Sequence, residues 1–130
     1  MILVTGATGK VGRPLVERLV SDGHKVRAMS RSVDRTDVPD GVDVVAADIL
    51  DVDALADAAD GADATFLLWP FSSPEHAARW APGVVSTIAA RSPRVVHLSA
   101  QAAEGRPQSF WAIVEREVEE RAREWTQLRP

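Results

Sequence analysis

Hydrophobic positions along this chain switch between two rhythms, and the switches locate its elements. Met1-Ile2-Leu3-Val4 is an unbroken apolar run that stops at Thr5-Gly6, as a strand covered on both faces does. After the glycines, Val11, Leu15, Leu19 and Val20 recur at helical spacing until Asp22-Gly23 stops them. Pro14 is compatible with that helix because the first turn has amide positions without intrahelical acceptors. The unit then repeats: a strand over 25–30, a polar loop over 31–41, a strand over 42–46, and a short helix carrying Val52, Leu55, Ala56 and Ala59. Gly61 ends that helix, and 64–69 reads as a fourth buried strand.

Prolines punctuate the next stretch. The Pro82-Gly83 pair predicts that a short helix near 75–80 breaks before a second one carrying Val84, Val85, Ile88 and Ala89. A fifth strand is expected over 94–99. The following helix, 110–124, is strongly charged, with an apolar stripe of Trp111, Val114, Val118 and Ala122. Its pairs Glu117–Arg121 and Glu119–Arg123 have the spacing that supports a solvated helix face. A sixth strand closes the pattern at 125–129. Strands alternating with helices imply an α/β fold, a doubly wound parallel sheet of about six strands in the order 3-2-1-4-5-6 of a Rossmann-type domain. The whole span 1–130 reads as one such domain, without an internal linker.

Composition narrows the chemistry. The 130 residues carry a net charge of −4, which offers no electrostatic footprint for nucleic acid or an anionic membrane. There is no cysteine, hence no disulfide and no thiolate metal site, and the three histidines, His24, His76 and His97, lack ligand spacing. No apolar stretch approaches the ~18 residues of a membrane span, and the first strand begins at Met1, so a cytoplasmic location is expected.

The chemistry is concentrated in the loop Thr5-Gly6-Ala7-Thr8-Gly9-Lys10-Val11-Gly12. Three glycines between a strand and a helix allow a tight turn, backbone contact with a pyrophosphate, and close helix–sheet packing. The helix N-terminus then offers free N–H groups and partial positive charge to phosphates. A nicotinamide dinucleotide is the expected ligand. Dehydrogenases that prefer NAD(H) carry an acid near the end of the second strand, whereas here that strand ends Met29-Ser30-Arg31. A guanidinium binds a 2′-phosphate through a fork of donors, so NADP(H) is the preferred cofactor, with NAD(H) as the alternative. Arg31 is the leading phosphate ligand, with Ser30, Ser32, Arg13 and Arg35 as helpers; the competing reading of Arg31 is a solvated loop charge.

The spacing Gly-x-x-Gly-x-x-Gly, in Thr5 to Arg13, resembles the opening of the atypical short-chain dehydrogenase/reductases, in particular the NmrA-like group. The resemblance continues through Asp48 with Ala54-Leu55, Gly61-Ala62-Asp63-Ala64, Val96-His97-Leu98-Ser99-Ala100 and Trp125-Thr126 with Leu128-Arg129-Pro130. A narrower likeness of Ala28 to Ser32 is to bacterial members grouped with ergot-alkaloid-type reductases. The resemblance implies that Asp48 and the Ile49 backbone contact the adenine, although Asp48 and Asp51 are also candidate helix caps. Trp69 and Pro70 fall near the nicotinamide ribose, with core packing as the other reading of Trp69. Ser99 would orient a substrate carbonyl or the cofactor, or simply end its strand.

Most short-chain dehydrogenases use a tyrosine acid with a lysine four residues later. This sequence has no tyrosine, and the resemblance places Pro107 and Trp111 at those positions. No catalytic residue is therefore assigned: His97 reads as a core histidine and Glu115 as a solvated helix charge. The resemblance also implies that relatives continue past Pro130 into a segment that forms the substrate pocket. Two functions follow as expectations. One is the NADP(H)-binding domain of an oxidoreductase that passes hydride to a small carbonyl, quinone or imine. The other is a non-catalytic redox sensor that reports dinucleotide occupancy to a partner protein. Oligomeric state is left open, with Trp125 and Leu128 as exposed apolar positions that favour self-association.

Overall fold

The computed structural model describes residues 1–34 and 37–130. Six strands, β1 (Ile2–Thr5), β2 (Val26–Ser30), β3 (Asp43–Ala46), β4 (Ala64–Leu68), β5 (Arg94–Leu98) and β6 (Glu124–Leu128), form one parallel sheet in the order β3-β2-β1-β4-β5-β6. Four α-helices connect them: α1 (Gly12–Ser21), α2 (Val52–Ala59), α3 (Pro74–Ala89) and α4 (Phe110–Arg121). This is the doubly wound Rossmann order expected from the alternation of elements.

Side-chain alternation along the strands divides the core in two. Leu3, Met29, Leu67 and Val95 point to one face, where Leu55, Val84, Val85, Ile88, Val114 and Val118 of α2, α3 and α4 cover them. Val4, Ala28 and Phe66 point the other way, toward Val16 of α1. Coverage of that second face thins toward the sheet edge, where Leu128 is 41% exposed; Trp125, also on β6, is 46% exposed.

Three elements differ from the pattern-based expectation. Helix α3 runs unbroken through Pro82. Its buried residues Ala77, Ala81, Val84, Val85 and Ile88 form one stripe spanning the proline, and burying that stripe outweighs one lost hydrogen bond. Ala78, whose carbonyl loses its helical donor to Pro82, lies on the exposed face. Helix α4 stops at Arg121, and Glu124 belongs to β6, pairing with Arg94 on the neighbouring strand. Glu117–Arg121 forms as an ion pair, but Arg123 lies beyond the helix end and is not in register with Glu119. In α1, Val11 is exposed at the N-cap, and Gly12 and Val16 are the buried residues.

Because α3 is already continuous, replacing Pro82 with alanine restores a hydrogen bond without changing the fold. P82A is expected to raise stability by about 1–3 kcal/mol in urea unfolding, with an unchanged m-value.

Candidate functional site

The candidate site lies beyond the carboxyl ends of the strands, where the connections leaving β1 and β4 pass to opposite faces of the sheet. Thr5 secures that fork. Its Oγ1 donates to the Phe66 carbonyl at 3.2 Å and accepts from the Leu68 amide at 2.9 Å, extending the β1–β4 connection one residue beyond the ladder.

From there the chain turns sharply. Gly6 has φ +62°, a conformation that disfavours any side chain, and its amide neighbour Ala7 is buried and donates to the Met29 carbonyl at 3.1 Å. Gly9 N–H returns to the Gly6 carbonyl at 3.1 Å. Gly12 opens α1 directly against this turn: a Cβ there would sit 2.1 Å from the Gly6 carbonyl oxygen and 2.8 Å from Ala7 Cα. A helix start pressed this closely onto backbone requires glycine. Thr8 Oγ1 and Ser30 Oγ lie 3.0 Å apart, joining the glycine turn to the end of β2.

The N-terminus of α1 is unlike the other three. Asp51, Ser73 and Ser109 cap α2, α3 and α4 by accepting from Ala54, His76 and Ala112. Val11 supplies no side-chain cap to α1, whose first turn contains no acid. The amides of Lys10 and Val11 make no hydrogen bond among the described residues, and both side chains are exposed. The turn thus presents unpaired donors and the positive end of a helix dipole, a surface matched to phosphate.

Toward the β2 side, Arg31 is exposed and forms no ion pair among the described residues. Ser32 is exposed beside it, and Arg35 lies outside the described residues. Arg13 differs from Arg31: its Nη2 is 3.4 Å from Asp37 Oδ1. Asp37 was not singled out in the sequence, because it lies seven positions past the end of β2 and only the loop's path brings it to α1. Of the two candidate helix caps, Asp51 is the one used. It caps α2, whereas Asp48 is exposed past β3 and accepts from the Leu50 amide at 2.9 Å. Ile49 is buried in the core, leaving only its backbone for a ligand.

A cleft of about 260 Å³ opens at the ends of β4 and β5, walled by Trp69, Pro70, Phe71, Ser99, Phe110 and Trp111. Trp69 packs in the core edge-on to Phe71, with centroids 5.4 Å apart, and it also lines the cleft. Trp111 belongs to this wall and is half-exposed, so it does not lie in the buried stripe of α4; Ala112, Val114, Glu115 and Val118 form that stripe. Phe110 and Trp111, 4.1 Å apart between centroids, make apolar the place where the family resemblance would look for a lysine. Ser99 is 4% exposed, and its Oγ makes no hydrogen bond of ordinary geometry among the described residues, although it lies near Glu115.

Behind Ser99 lies a polar group that corrects the reading of Glu115 as a solvated charge. Glu115 is only 6% exposed, and Arg129 at the end of β6 grips both its oxygens at 2.8 Å. Burial pushes this carboxyl up. The Arg129 fork, the nearby Ser99 hydroxyl and the charges of Arg129 and His97 outweigh it and hold the group below its ordinary value. Gln127 links the elements: its Oε1 accepts from His97 Nδ1 at 2.8 Å, and its Nε2 donates to the Glu115 carbonyl at 3.3 Å. His97 is fully buried with Nε2 unpartnered, so the expected core histidine is only half satisfied.

This geometry defines a dinucleotide-binding α/β domain. A family model described as NAD(P)H-binding matches residues 6–130, and the chain belongs to that family. Three solved structures share its fold. Triphenylmethane reductase from Citrobacter sp., complexed with NADP(H), is 21% identical over 98% of this chain, with a TM-score of 0.86. The NADPH-dependent quinone oxidoreductase of Escherichia coli, complexed with NADPH, is 25% identical over 99%, with a TM-score of 0.82. A short-chain dehydrogenase/reductase superfamily protein of Agrobacterium tumefaciens with bound NAD is 24% identical over 99%, with a TM-score of 0.76. In all three cases the match covers 48% of the other chain, so this chain spans about half their length. A curated relative from Mycobacterium tuberculosis is 48% identical over 63 residues, which are 48% of this chain and 7% of the relative's own length. No helix among the described residues is long and apolar enough to cross a membrane.

Burial holds the His97 imidazole below its ordinary value of 6.5, against the opposing Gln127 hydrogen bond and Glu115 charge. The unfolded chain therefore takes up this proton first as pH falls below 6.5, and the fold loses stability there. Chemical denaturation between pH 7 and 5 should show this loss, at most about 1.4 kcal/mol per pH unit from this group. In His97→Gln the slope should flatten.

Proposed function

We propose that residues 1–130 form the dinucleotide-binding domain of an NADPH-dependent oxidoreductase that reduces a small carbonyl, quinone or imine compound. The observation that carries this reading is the Gly12 contact. A helix start that would place a Cβ 2.1 Å from the Gly6 carbonyl, with no side-chain cap and no acid in its first turn, is built to offer bare backbone to an anion. The residues present therefore fit a dinucleotide: Gly6, Ala7, Thr8, Gly9, Lys10, Val11 and Gly12 would hold the pyrophosphate. Ser30 and Arg31 would take the 2′-phosphate, with Asp48 and the Ile49 backbone beside the adenine. Trp69 and Pro70 would flank the nicotinamide ribose, and Ser99 would orient the cofactor or a substrate carbonyl.

When bound, the nicotinamide supplies the hydride. The chain's contribution is orientation and exclusion of water by the aromatic wall, because no tyrosine is available as an acid. That same lack favours a second reading, a dinucleotide sensor without turnover. Hydride transfer from NADPH to any member of a quinone and carbonyl panel decides for the enzyme. A partner protein retained in only one cofactor state, with no turnover, decides for the sensor.

The first test is calorimetric titration with NADPH and NADH. NADPH is expected to bind more tightly, and Arg31→Ala should weaken it by about tenfold or more while leaving NADH nearly unchanged. Equal affinity for both, insensitive to Arg31, would overturn the NADPH assignment.

A further inference from the structure

We infer that Asp37 is a specificity-determining residue: its carboxylate occupies Arg13 as an internal rival of the 2′-phosphate and so limits the preference for NADPH over NADH. This rests on the 2′-phosphate lying between the start of α1 and the loop after β2, as the proposed function requires. Among the described residues, two guanidinium groups border that space. Arg31 carries no ion pair among the described residues, whereas Arg13 Nη2 is 3.4 Å from Asp37 Oδ1. The side chains of Arg13 and Asp37 are 49% and 35% exposed, open enough for a ligand to reach and close enough to the protein to retain their pairing.

Asp37 is held in place by its own turn. Its Oδ2 accepts from the Asp34 amide at 3.2 Å, and its amide donates to the Asp34 carbonyl at 3.0 Å. The carboxylate thus faces Arg13 without depending on it. Among the described residues, a phosphate entering beside Arg31 meets one cation without an ion pair, one paired with a carboxylate, and a fixed negative charge. A ribose 2′-hydroxyl, being uncharged, meets no such opposition. Asp37 therefore weakens phosphate binding selectively, both by like-charge repulsion and by engaging Arg13.

The test uses adenosine 2′,5′-bisphosphate and ADP as probes, so that the nicotinamide end plays no part. Asp37→Asn keeps an oxygen for the Asp34 amide while removing the charge. It should tighten adenosine 2′,5′-bisphosphate by about three- to tenfold in calorimetry and leave ADP within about twofold. In an Arg13→Ala background the gain should shrink toward the repulsion alone. Unchanged affinity for adenosine 2′,5′-bisphosphate in D37N, with wild-type binding still dependent on Arg31, would overturn the role of Asp37 while leaving the proposed function intact. Weaker ADP binding in D37N would overturn it too, assigning Asp37 instead to the ribose hydroxyls. No preference of the wild-type chain for adenosine 2′,5′-bisphosphate, and no effect of Arg31→Ala, would overturn the underlying NADPH assignment itself.

Discussion

The contact between Gly12 and the Gly6 carbonyl is the constraint on which the rest of this molecule depends. It brings the first turn of α1 against the turn leaving β1, with no side chain between them. That approach sets the direction of α1 across one face of the sheet and the depth of Val16 in its core. It also determines where the uncapped amides of the helix point. Packing and binding surface are thus consequences of one close approach, and a methyl group would disturb both.

Beyond that turn the site divides into two environments. The side toward β2 and β3 is polar and exposed, with Arg13, Arg31, Asp37 and Asp48 at its margins. The side toward β4 and β5 is a small aromatic cleft, whose wall is completed by Phe110 and Trp111 from the start of α4. A dinucleotide has the same division, phosphates and adenosine at one end and a flat ring at the other. The family model describes NAD(P)H binding, and structures with bound NAD or NADP(H) share the fold.

The polar cluster of His97, Gln127, Glu115 and Arg129 ties α4 to the two last strands. A buried carboxylate next to a sheet edge is costly unless paired, and the Arg129 fork supplies that pairing. The edge strand β6 is thereby joined to the core through side chains as well as through the β5 ladder. The same anchoring fixes the wall of the cleft, since Glu115 lies on the helix that carries Phe110 and Trp111.

Strand order, the glycine turn and the absence of a tyrosine acid were determined by the sequence alone. Each depends on local properties: period-two or continuous apolar runs, glycine at fixed offsets, and residue types that are simply present or absent. Tertiary structure decided what depends on partners distant along the chain. Helix α3 continues through Pro82 because its apolar stripe finds a core on both sides of the proline. Glu115 is buried because Arg129, fourteen residues later, returns beside it on β6. Asp37 pairs with Arg13, twenty-four residues earlier, only in the folded chain. Periodicity reports which face a residue occupies, but charge pairing is set by distance in space, and only the folded chain brings those charges together.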